Sequence, residues 1–142
     1  MPTVSRAFIK SGILFMVLSL VAGVAVTAPD SWVLPGWVGA LETMHFHLFV
    51  VGWITQMIFG VALWFFPKYS REAPRGPEWV GWTSFGTLNL GLVLRAISET
   101  AYAAGGADVV WGWVMTVAAV LLFVSALLFA VAIWPRVKPR GR

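Results

Sequence analysis

Cysteine is absent from all 142 residues. That removes disulfides, thiolate zinc sites, iron–sulfur clusters and thiol nucleophiles from consideration. Charge is scarce as well. Asp, Glu, Lys and Arg make up 11% of the chain, against about 25% in a typical globular domain. A chain this short leaves much of its area exposed when it folds in water, and this one lacks the charged side chains to cover that area. No nucleophile–base pair has an evident spacing, and no phosphate-binding motif accompanies Gly105-Gly106, so hydrolysis and group transfer find little support. What fills the sequence is apolar: 59% hydrophobic residues, with a mean hydropathy of +0.83. Lipid is the expected solvent.

Long apolar stretches fall at about residues 7–28, 41–66, 79–104 and 109–134. Each reaches the roughly 20 residues that a helix needs to cross a bilayer. Backbone groups in hydrocarbon must be bonded within their own segment, so the stretches are expected to be helices. Pro29, Asp30, Pro35 and Gly36 break the first from the second, the run Pro67 to Pro77 breaks the second from the third, and Gly105 to Asp108 form the last turn. The expected fold is all-α, a single integral membrane four-helix bundle over 1–142. The first stretch has features of a signal peptide, with Arg6 and Lys10 before an apolar run and Val26-Thr27-Ala28 as a cleavage site. Pro29 directly after that site argues for a retained helix.

Charge orients the bundle. Arg6, Lys10, Lys68, Arg71, Arg75, Arg136, Lys138, Arg140 and Arg142 fall at the N-terminus, the second loop or the C-terminus. With four spans those regions share one face, which the positive-inside rule makes cytoplasmic. Both termini are then cytoplasmic and the protein is multi-pass in the cell (inner) membrane. Topology thus accounts for the basic character (pI near 10.1), and no nucleic-acid partner is expected. Trp32, Trp37, Trp111 and Trp113 fall near the outer ends and Trp64, Trp79, Trp82 and Trp134 near the inner ends, as in aromatic belts.

Ionisable groups inside spans are costly and mark functional candidates. Here they are His45 and His47 in the second stretch and Arg95 and Glu99 in the third, with Glu42 at the outer edge. At about 1.5 Å per residue the histidines lie roughly 6–9 Å in, Glu99 about 6 Å and Arg95 roughly 12 Å. All five belong to one outer layer. Arg95 and Glu99 could simply pair as i, i+4 neighbours, and the histidines could bond backbone carbonyls or Glu42. Residues two apart lie about 200° apart around a helix, so His45 and His47 cannot flank one metal ion. The His45 stripe continues through Phe49, Gly52, Gln56 and Gly60 or Leu63, a face packed inside the bundle with room beside Gly52 for something flat. The His47 stripe runs through Val51, Ile54, Ile58, Val61 and Phe65, an aliphatic face. His45 is the better ligand candidate.

Imidazole takes haem iron, copper or zinc. Haem b needs an imidazole, an apolar slot and a cation for its propionates, which Arg95 could supply. Met115, His47 or a histidine of a second chain could provide another axial ligand. The run Met44-His45-Phe46-His47-Leu48-Phe49-Val50-Val51-Gly52-Trp53, with Ile58-Phe59-Gly60 and Trp64-Phe65-Phe66-Pro67, resembles the second transmembrane helix of subunit I of the haem–copper oxidases, particularly the nitric oxide reductase branch. The similarity covers about residues 43–67. It implies that His45 is an axial ligand of a low-spin haem, with His47 where a neighbouring polar residue usually stands. Members of that family are longer and carry histidines on several helices. Two histidines cannot supply three copper ligands and two haem sites, so oxygen or nitric oxide reduction by this chain alone is not expected.

Three functions follow from these residues. The first is a b-type haem protein that transfers electrons, or binds a gas, near the outer face, as a homodimer with a redox partner protein or quinone. The second is copper handling by Met44, His45, His47 and Met115. The third is a structural accessory subunit. The site residues expected for a cofactor are His45, His47, Gly52, Arg95 and Met115, with His45 and His47 as the metal ligands.

Overall fold

Four helices form where the apolar runs fall, and each ends on an identifiable local signal. In the computed structural model the described residues are 1–29, 35, 38–39, 41–67, 69, 76–105 and 108–137. Asp30, Trp32, Gly36, Trp37, Lys68, Arg71, Arg75, Gly106, Lys138, Arg140 and Arg142, used above for turns, belts and orientation, lie outside them. Helix α1 spans Thr3–Val26. It starts before the apolar run because Pro2 suits a helix start, its carbonyl accepting from Arg6 N at 3.1 Å. It ends where the Thr27 hydroxyl donates back to the Gly23 and Val24 carbonyls.

Helix α2 spans Leu41–Phe65. Pro67 ends it, since the residue before a proline is driven out of the helical region and Phe66 is extended at ψ 149°. Its middle, Leu48–Thr55, is wound as a π-helix, which the hydropathy pattern did not anticipate. Within it the Thr55 hydroxyl donates to the Val50 carbonyl, five residues back, at 2.9 Å. Helix α3 spans Glu78–Ala103, and α4 spans Val109–Ile133 before a final 3₁₀ turn, Trp134–Arg136. No strand occurs among the described residues.

Helices α1, α2 and α4 are long and apolar enough to cross a membrane. Helix α3 is long enough but carries Ser84, Asn89, Arg95, Ser98 and Glu99, which lower its hydropathy. Of the four spans expected, all four form helices and three of these are long and apolar enough to cross a membrane. The outward faces are apolar throughout: Leu14, Val21 and Val24 on α1, Ile58 and Phe65 on α2, and Phe123 and Val131 on α4 are all exposed. Such continuous apolar exposure points to a lipid bilayer around the protein.

Helices α1 and α2 pack antiparallel through small residues. Gly12 lies against Gln56, Gly52 against Phe15, and Gly60 against Phe8 and the Ser5 carbonyl. A Cβ on Gly52 would approach Phe15 Cβ to 2.9 Å. Helices α3 and α4 pair similarly. Gly91 meets Leu122 and the Ala118 carbonyl, and Ser84 and Ser125 each donate to the other's carbonyl at 3.0 and 2.8 Å. With lipid as apolar as leucine, close backbone approach and buried hydroxyl bonds hold such pairs.

The two pairs meet through an aromatic layer and a polar clamp. Phe59 stacks on Phe129 with centroids 3.7 Å apart, and Phe8 stands edge-on to Phe59 and Phe85. Beside them the Asn89 carbonyl accepts from the Ser11 hydroxyl at 2.6 Å and from the Gln56 amide at 3.3 Å. This clamp ties α1, α2 and α3 together. At the far end of the bundle, Arg136 is 3% exposed and donates to the carbonyls of Leu63, Phe66 and Pro67. By its position in the sequence Arg136 is expected to serve orientation alone. Here it also caps the C-terminus of α2.

Candidate functional site

His45 lies in the first third of α2, three residues before the π segment. Its ring is turned toward α1. His45 Nδ1 lies 2.7 Å from the Ser19 carbonyl and 3.0 Å from the Ser19 hydroxyl, which itself donates to the His45 carbonyl at 3.2 Å. A carbonyl oxygen can only accept, so Nδ1 carries the proton. In the neutral imidazole, Nε2 then presents a lone pair. This is the arrangement by which outer partners orient a ligating histidine and set its tautomer.

Helix α1 makes room for that ring with a glycine. A Cβ on Gly23 would stand 3.0 Å from His45 Cε1 and 3.2 Å from Nδ1. Phe46 and Phe49 flank the imidazole with centroids at 5.5 and 6.0 Å. Ser19 and Gly23 were not singled out from the sequence, although a signal existed. Ser5, Gly12 and Ser19 recur every seven residues on α1, beside Phe8, Phe15 and Ala22 at the same spacing. That pattern of small and large residues marks a helix seam.

His47 faces another helix. Its Nδ1 donates to the Thr43 carbonyl at 3.0 Å and lies 3.5 Å from Glu99 Oε1 on α3. Arg95 Nε donates to the same carboxylate oxygen at 2.6 Å. Arg95, Glu99 and His47 therefore form one chain across the α2–α3 contact, with the Glu99 side chain 7% exposed. The other oxygen, Glu99 Oε2, is buried without a hydrogen-bond partner. Along the rest of the His47 stripe Ile54, Ile58, Val61 and Phe65 are exposed, while Val51 packs against the core.

The other candidates are dispersed. The space foreseen beside Gly52 is filled by Phe15, so that face is a helix contact. Met115 is half-buried on α4, and no hydrogen bond or ring contact among the described residues joins it to a histidine. Met44 turns toward α3, where the Thr100 hydroxyl approaches its sulfur at 3.9 Å. Met44 and His47 thus turn toward α3 while His45 turns toward α1. Among the described residues no group of three or more His, Cys, Asp or Glu side chains is placed to hold a metal ion.

No family model, curated protein or solved structure matches this chain. The arrangement offers two separate elements: an oriented imidazole on the α1–α2 seam, and an ion-paired carboxylate with one unclaimed oxygen on the α2–α3 contact.

Proposed function

We propose that the chain is a membrane-embedded b-type haem-binding protein in which His45 Nε2 is an axial ligand. The single observation that supports this reading is the 2.7 Å contact between His45 Nδ1 and the Ser19 carbonyl. It leaves the unprotonated nitrogen for a metal and fixes the plane of the ring. When bound, haem supplies a one-electron redox change or a coordination site for a gas. The chain's own residues do the rest. Ser19 holds the tautomer, Gly23 lets the ring lie close to α1, and Phe46 and Phe49 keep its surroundings apolar. Arg95, with Nε committed to Glu99, would offer its remaining guanidinium nitrogens to a propionate.

In this reading α3 crosses the bilayer with its polar residues turned to partners inside the bundle. The crossing is supported by the Ser84–Ser125, Asn89–Gln56 and Glu99–His47 contacts. The basic N-terminus, second loop and C-terminus then share the cytoplasmic face of the inner membrane. One histidine per face leaves an axial position for a second copy of the chain, so a homodimer is part of the proposal, as is electron exchange with a protein or quinone. Copper handling is less well supported, because its ligand set is not gathered.

The test is the absorption spectrum of detergent-purified protein made with ample haem, as isolated and after dithionite. A Soret band with sharp reduced α and β bands supports a low-spin b-type haem, and a reduced spectrum that shifts with carbon monoxide supports gas binding. His45→Ala should abolish haem retention, while His47→Ala should only weaken it. A featureless wild-type spectrum would refute the haem reading and leave a structural role for the Arg95–Glu99–His47 chain.

A further inference from the structure

Threonine hydroxyls report how each helix is wound. Thr87, Thr100 and Thr116 each donate to the carbonyl four residues back, as a threonine in an α-helix does. Thr55 donates instead to Val50, five residues back, at 2.9 Å. It closes the eight-residue π segment Leu48–Thr55. Backbone bonds of the π type run from i to i+5, so such a segment takes up roughly one residue more than an α-helix turned through the same angle. The backbone is α-helical on both sides, with His47 at φ −63°, ψ −44° and Gln56 at φ −64°, ψ −38°. The inner end of α2 is held against α1, where Gly12 meets Gln56 and Gly60 meets Phe8. The extra residue therefore turns the outer end, by about 100°.

That turn decides what the residues ahead of the segment face. With α winding throughout, each of them would sit where its predecessor sits now. Phe46 would stand by Ser19 in place of His45, and Leu48 by Glu99 in place of His47. His45 would move to the Met44 position beside Thr100, and His47 to the Phe46 position, which is 59% exposed. Ser19 would lose the imidazole, the buried Glu99 carboxylate would lose His47, and an imidazole would enter hydrocarbon. Polar groups placed in apolar surroundings without partners are costly. In the observed winding His45 Nδ1 lies 2.7 Å from the Ser19 carbonyl, and His47 Nδ1 lies 3.5 Å from Glu99 Oε1. One extra residue satisfies both contacts, on two different helices.

We propose that the π segment, closed by Thr55, is a positioning device: it sets the rotation of the outer end of α2 so that His45 meets α1 and His47 meets α3 together. The inference rests on His45 as the ligand of the proposed haem site and deepens that reading, but it concerns the haem-free chain.

The test is solid-state NMR of the full, haem-free chain in lipid bilayers. It reads ¹³C–¹⁵N couplings from the Ser19 carbonyl to His45 Nδ1 and from the Glu99 carboxyl to His47 Nδ1. Both couplings should be present in the wild type, and absence of either overturns the proposal with no variant needed. Deleting Val50, an exposed residue of the wide turn, removes the extra residue. The shortened stretch then winds as an α-helix, and both couplings should persist. Inserting one alanine after Val50 adds about 100° with nothing to absorb it, and both should be lost. In a helix with no extra residue the deletion and the insertion are equally disruptive. Loss of the couplings on deleting Val50, including loss through misfolding, therefore overturns the proposal, as does their survival of the insertion. Haem enters none of these readings: a featureless absorption spectrum beside the expected couplings refutes the haem site alone, and a haem spectrum beside the opposite couplings refutes the positioning device alone.

Discussion

Replacing Arg136 with alanine tests how this bundle closes. The guanidinium donates through Nε to Pro67 O at 2.9 Å and through Nη2 to Leu63 O at 3.1 Å and Phe66 O at 2.7 Å. The carbonyls of Leu63 and Phe66 belong to the end of α2, where no further turn supplies donors and where the helix dipole favours a cation. Hydrogen bonds to charged groups contribute about 1.5–3 kcal/mol each, but three on one side chain are not additive. Water can also replace some, since Pro67 is exposed and Phe66 half-buried. A loss of about 2–4 kcal/mol is therefore expected, a large share of the roughly 5–15 kcal/mol that holds an ordinary domain together. Arg136→Lys keeps the charge, but one ammonium cannot span three carbonyls in that fork geometry, so it should restore less than half. The assay is reversible unfolding in mixed micelles followed by tryptophan fluorescence, with exposed Arg6→Ala as the control. The control should stay within about 0.5 kcal/mol of wild type. An Arg136→Ala protein equally close to wild type, or a fully restored Arg136→Lys protein, would refute the capping role.

Other contacts are as open to test. Gly23→Val should push the His45 ring off α1, because even the first added carbon stands 3.0 Å from Cε1. Imidazole ¹⁵N shifts should report loss of the Nδ1–H form, and an unchanged spectrum would remove Gly23 from the site. Asn89→Leu strands the Gln56 amide, which is 0% exposed, and should cost about 1–3 kcal/mol. Adding Gln56→Met should regain part of that loss in the same unfolding assay, and a further loss would contradict the clamp. Gly91→Leu should separate α3 from α4, since a Cβ there already meets the Ala118 carbonyl at 3.1 Å. Cysteine crosslinking between Ser84→Cys and Ser125→Cys, efficient in an otherwise unaltered chain, should fall sharply in that variant.

Much of this architecture is local chemistry and could be read directly. Apolar runs and proline breaks placed α2, α3 and α4 within a residue or so of their ends, while α1 began four residues early, directly after Pro2, whose fixed φ suits a helix start. Helical periodicity separated His45 from His47, and the two rings do face different helices. The i, i+4 spacing paired Arg95 with Glu99, and the pair forms at 2.6 Å.

Tertiary structure decided what lies opposite each of those faces. The partner of His45 is Ser19, 26 residues away, and the space beside Gly52 belongs to Phe15. Arg136 reached across 73 residues to Leu63, and Glu99 was left with one oxygen unclaimed. Hydropathy cannot reveal such choices in lipid, where outward and inward faces are equally apolar. Which helices touch is settled by the fit of small residues against large ones and by the few polar groups that must find donors or acceptors. Sequence alone determined the helices and the layer in which the ionisable groups lie; packing determined which of those groups are held, capped or left open.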